Sequence, residues 1–122
     1  MSDPLLPKDE QLPALLDQTE WQELLLAQLE KDFQTSGLDL PPALRAAQGF
    51  PALCEALLPV ITLLLSRRTE TFAQLLYRID LSETQIKKAG AKTPEIDFPT
   101  LITRLIVLRE LQKIVIRKRF SP

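Results

Sequence analysis

Between Phe50 and Leu65 the chain offers almost nothing to water. Glu55 and Thr62 are the polar residues in a run otherwise made of Phe, Pro, Ala, Leu, Cys, Val and Ile. A helix that is apolar on every side must be surrounded by protein. The run therefore predicts a central apolar helix near residues 50–66, wrapped by others. Pro51 is expected at its first position, where a missing N–H costs nothing. Pro59 is expected to kink it, because the bond to the Glu55 carbonyl is lost. Arg67-Arg68 would suit a membrane edge, but spanning takes about 20 apolar residues and this run is shorter. Burial in a core explains it better, so membrane association is disfavoured.

The flanking segments supply the wrapping. Thr19 reads as the N-cap of a helix over about 20–35, with Glu20 and Glu23 near its positive end. Trp21, Leu25 and Leu29 recur four apart along it, and Gly37 is a natural residue to end it. Pro41-Pro42 start a short piece through Gln48, closed by Gly49. Thr69 can cap the next helix, in which Phe72, Leu75, Leu76 and Ile79 share one face. In Tyr77-Arg78-Ile79-Asp80, chemically capable side chains occupy a helix end. Local bonds to the backbone explain them without catalysis. Ser82-Glu83-Thr84-Gln85 has the form of a capping box, and Gly90 is expected to stop the helix it opens.

Asp97 caps a last helix reaching about Lys118, with Phe98, Leu101, Ile102, Leu105, Leu108 and Val115 on one broad face. Ile114-Val115-Ile116 favours a strand but has no strand to pair with. Residues 1–18, with Pro4, Pro7 and Pro13, read as a flexible acidic N-terminal arm, and 19–122 as a single helical domain. The expected fold is all-α: a single helical bundle of about four long helices plus one or two short ones, neighbours antiparallel.

Composition excludes whole classes of chemistry. The 122 residues include no His, one Cys and three isolated Gly. Without His there is no Ser-His-Asp or Cys-His nucleophile. One Cys builds neither a disulfide nor a Cys₄ metal site. A phosphate-binding glycine loop needs closely spaced glycines. No cofactor, metal or catalytic residue is assigned, and the chain is expected not to be an enzyme. Met1-Ser2-Asp3-Pro4 lacks the basic start of a secretion signal, so the expected compartment is cytoplasmic. Cys54, among Leu53, Ala56 and Leu57, reads as an inert core thiol.

Charge is divided along the chain. Residues 1–60 hold 3 basic and 10 acidic side chains; residues 61–122 hold 12 and 6. Internal complementarity between the acidic first helix and the basic last helix is the leading explanation. Arg109, Lys113 and Arg117, spaced four apart, are the candidate partner surface for an acidic protein or for phosphates. Nucleic acid is disfavoured, because the net charge is −1 and aromatic residues do not interleave the cations. Glu55, alone in the apolar run, is expected to face an open side or to pair with Arg67, Arg68 or Arg104.

Leu75-Leu76-Tyr77-Arg78-Ile79-Asp80-Leu81-Ser82-Glu83, followed by a long helix carrying Leu108-Arg109-Glu110-Leu111-Gln112-Lys113, resembles short uncharacterised all-helical bacterial proteins. The likeness extends to Leu29-Glu30-Lys31-Asp32-Phe33 and covers about half the chain. It implies a helical fold and a bacterial source, and carries no activity or site residues.

The function expected from these features is a small helical protein-interaction module, with a homodimer as one form. Its motive is apolar surplus on the last helix: Ile106, Val107, Leu111 and Ile114 lie outside the main face. The N-terminal arm is the alternative cover for that surplus. Nucleic-acid or acidic-partner binding through Arg109, Lys113 and Arg117 is the second reading. A carboxylate-based enzyme using Glu55 or Asp80 is the weakest.

Overall fold

Seven helices and no strand occur among residues 11–120, the part of the chain that the computed structural model describes. In order they are α1 (Leu12–Leu15), α2 (Thr19–Thr35), α3 (Ala43–Ala46), α4 (Gly49–Arg67), α5 (Thr69–Ile79), α6 (Glu83–Lys92) and α7 (Phe98–Phe120). The all-α class is as the sequence predicts.

Local chemistry sets the boundaries. Gly37 takes φ 77° after α2. Its N–H donates to the Gln34 carbonyl and that of Leu38 to Phe33, the paired bonds of a Schellman end. Ser82 and Gln85 form the reciprocal capping box at the start of α6. Asp97 Oδ2 accepts from the Thr100 N–H at 3.2 Å and so caps α7. Three expectations shift. Thr19 and Thr69 are first helical residues rather than caps. Pro51 is third in α4, still within the turn whose N–H groups lack helical acceptors. Gly90 does not stop α6, which runs on to Lys92.

The core is one cluster drawn from α1 to α5, α7 and the loops between them. Its axis is α7, not the apolar run. On α7 nine residues are buried, spread from Leu101 to Val115, and the helix touches α1, α2, α4, α5 and α6. This overturns the central position expected for 50–66. α4 buries Leu53, Leu57, Ile61 and Leu64 against α7 and its neighbours, but leaves its other side uncovered. A chain this short has enough helices to enclose one long helix, and α7 takes that place. α4 runs unbroken through Pro59, which lies on the exposed side.

Of the segment read as a flexible arm, residues 1–10 lie outside the described residues. Leu12 and Leu16 are buried, and α1 packs on α4 and α7. Ile106, Val107, Leu111 and Ile114, read as surplus on the last helix, are all in the core. Phe98, expected on the buried face of that helix, is 49 % exposed.

Candidate functional site

Three of the five buried polar residues among those described, Gln28, Asp32 and Glu110, gather on the seam between α2 and α7. The pairs Asp32–Lys113, Gln28–Arg117 and Glu20–Lys118 show that the two helices run antiparallel. On α2, Gln28 and Asp32 sit one turn apart and both are buried. Gln28 Nε2 donates to Asp32 Oδ2 at 3.0 Å. Lys113 Nζ reaches the same oxygen at 2.9 Å and donates to the Arg78 carbonyl of α5 at 3.4 Å.

Glu110 lies one turn before Lys113 and is wholly buried. Its Oε1 is 3.1 Å from Lys113 Nζ, yet neither carboxyl oxygen accepts a hydrogen bond. An ionised carboxylate so placed is costly. Burial above all, with the neighbouring Asp32 adding to it and Lys113 opposing, brings Glu110 up to about 8. At neutral pH Glu110 therefore favours its protonated form. Asp32 moves the other way. Burial raises it, but the adjacent Glu110, the hydrogen bonds from Gln28 and Lys113 and the lysine charge together bring it below the usual carboxylate value. Two carboxyls driven apart resemble an acid–base pair. Glu110, however, is sealed from solvent, and Asp32 nearly so.

The predicted stripe is brought into this network and spent there. Arg109 binds the Asp80 carboxylate at 3.0 Å and the Asp80 carbonyl at 3.1 Å. Lys113 bridges Asp32 and Glu110, and Arg117 donates to Gln28. Lys118 pairs with Glu20 and lies 5.0 Å over the Trp21 ring. Asp80 takes φ 66° and turns the chain out of α5.

Sequence reasoning missed Asp32, Glu110 and the buried Gln22. A signal for Glu110 exists: it falls four residues after Ile106, three after Val107 and four before Ile114, in the middle of an apolar face. Gln22 clamps the start of α4, donating to the Ala47 carbonyl at 2.7 Å and accepting from the Gly49 N–H at 2.8 Å. The same kind of signal marks Gln22, three residues before Leu25, and Asp32, three after Leu29, since both fall on the buried stripe of α2.

A second feature lies between α4 and the first turns of α7. Phe50, Pro51, Cys54, Glu55, Leu58, Thr100, Thr103 and Arg104 line a cleft of about 520 Å³. The Thr103 hydroxyl is committed to the Pro99 carbonyl at 2.7 Å and that of Thr100 to Asp97 at 3.0 Å. Burial raises the Cys54 thiol to about 12, against a small pull from Arg104, so no thiolate forms near neutral pH. Glu55 is exposed and makes no ion pair with Arg67, Arg68 or Arg104. No group of three metal-ligating His, Cys, Asp or Glu side chains occurs among the described residues.

Compared with known proteins, the chain matches no family model, no curated protein and no solved structure.

Proposed function

We propose that this chain is a small helical protein-interaction module, and that its docking face is the outer side of α4. The observation behind this reading is a mismatch. α4 is long and apolar enough to cross a membrane by length and composition, yet only 28 % of its most apolar stretch is buried. Leu63 is 50 % exposed and Pro59 is exposed, with the half-buried Ala52 and Ala56 on the same side. Apolar surface left in water on a helix already anchored by its other face favours association. A protein partner suits the surface better than lipid. The inner stripe of α4 is tied into the core, and Glu55, Thr62 and Ser66 border the outer one.

Binding rather than catalysis also fits the seam, whose perturbed carboxyls face no cleft. The basic stripe on α7 supports a nucleic-acid role poorly, since its cations already have partners within the chain.

Photo-crosslinking in cells that express the chain tests the proposal. A photoreactive residue is placed at Pro59, at Leu63, and at the exposed Lys87 of α6 as control. Discrete protein adducts from positions 59 and 63, absent at 87, are expected. Equal labelling at all three positions, or flotation of the wild-type chain with lipid vesicles, overturns it.

A further inference from the structure

We propose that the partner is a second copy of this chain, docked about a two-fold axis through the α4–α7 cleft, so that Glu55 of each copy meets Arg104 of the other. This rests on the interaction reading above and names its occupant. Two observations carry it. Glu55 and Arg104 line the same cleft, one on α4 and one on α7. Neither side chain makes a hydrogen bond or ion pair with any described residue, including each other; Arg104 meets Asp97 and Cys54 only through its field.

The rest of the cleft asks for little. Its threonine hydroxyls already donate within α7 and its cap, and Phe50, Pro51 and Leu58 are apolar. An occupant must bring apolar surface, a cation opposite Glu55 and an anion opposite Arg104. A copy of the same cleft brings all three when rotated by half a turn, because a two-fold interface pairs residue i with j and j with i. Glu55, on the wall of the cleft, stands one turn before Pro59 on the exposed side of α4, so the contact can extend onto that side. Apolar contact then supplies affinity, while the two reciprocal charge pairs set the register.

The test is sedimentation equilibrium of the full chain and of two variants, with circular dichroism as a check of the fold. Both side chains are exposed, so the substitutions leave the core untouched. The wild type is expected to reach twice the 13.8 kDa chain mass. Glu55→Arg alone and Arg104→Glu alone should each weaken association about tenfold or more, since each places two like-charged pairs across the axis. An equimolar mixture of the two variants should associate again, because every pair in the mixed dimer is of opposite charge within its own like-for-like register: the two new side chains face each other, and so do the two native ones. A wild type that stays monomeric up to about 1 mM overturns the proposal. So does undiminished self-association of either variant, or a mixture that shows no recovery. If α4 crosslinks only to a different protein, the second-copy inference falls and the interaction reading stands; if α4 yields no specific adduct, both fall.

Discussion

Lys113 Nζ stands 2.9 Å from Asp32 Oδ2, joining residues 81 apart in the chain across the α2–α7 seam. The same ammonium lies 3.1 Å from Glu110 Oε1. One cation therefore serves two buried carboxyls, and the seam is electrically balanced when one of them keeps its proton.

The balance makes stability depend on pH, with opposite signs for the two acids. Below about pH 4.5 Glu110 is protonated in both folded and unfolded chains. Between its ordinary 4.5 and its folded value of about 8, the unfolded chain ionises Glu110 and the folded chain does not. Stability falls as pH rises through that window, by a few kcal/mol in all. Asp32 is shifted below its ordinary 3.8, so its contribution is present above that value and is lost as pH falls through the folded one. Urea titrations of the wild type and of Glu110→Gln from pH 3 to 9 are the check. The variant should lose the decline between pH 5 and 8 and keep the acid limb. An unchanged alkaline slope in Glu110→Gln would remove Glu110 as its source.

Lys113→Met isolates the cation. It leaves Asp32 buried without its ion-pair partner and keeps an aliphatic stem of similar length. Breaking one side of a buried pair costs about 3–5 kcal/mol. Lys113 keeps partial contact with water (21 % of its side chain), so a loss of about 2–3 kcal/mol is expected. Adding Asp32→Asn should recover much of that loss, because the charge left unpaired is gone. Denaturation midpoints at pH 6 measure both steps, and additive losses in the double variant would contradict the pairing.

Gln22 holds two backbone groups that no helix satisfies, the Ala47 carbonyl and the Gly49 N–H. Gln22→Leu keeps the volume and deletes both bonds. Two polar groups left without partners at this buried site should cost about 1–3 kcal/mol. The damage should be local. Hydrogen exchange at Gly49 is expected to accelerate more than exchange at Ile106 or Leu111 in the core of α7.

What the chain discloses in advance is governed by range. The Ser82–Gln85 box, the Asp97 cap and the Gly37 turn need only residues within four or five positions, and all three are legible. Periodicity places Glu110 on a buried face, but Asp32 and Lys113 are 81 residues apart and Gln22 finds its partners beyond its own helix, so pattern alone conceals what these side chains meet. The apolar run from Phe50 to Leu65 marks a helix with a buried stripe. It does not say how many neighbours the chain can supply, and the enclosing helices went to α7. Arg109, Lys113 and Arg117 show the same limit. Their spacing reveals a stripe, while Asp80, Asp32 and Gln28, which take up that stripe, come from elsewhere in the chain.

Gly90 tests whether α6 continues where a glycine suggests a stop. The helix runs through it to Lys92, and its φ is not in the left-handed region. A Cβ built there would meet Leu101 Cδ2 at 3.5 Å, an ordinary contact. Glycine inside a helix costs roughly 0.5–1 kcal/mol relative to alanine, through the freedom it loses on folding. Gly90→Ala should therefore stabilise the chain by about that amount, and the added methyl should touch Leu101 at the α6–α7 contact. Thermal unfolding reads the first effect, as a rise in midpoint of a few degrees for a domain of this size. A methyl–methyl nuclear Overhauser effect between the methyl introduced by Gly90→Ala and the Leu101 side chain reads the second. A fall in midpoint would mean that residue 90 ends the helix after all, in a conformation that alanine resists.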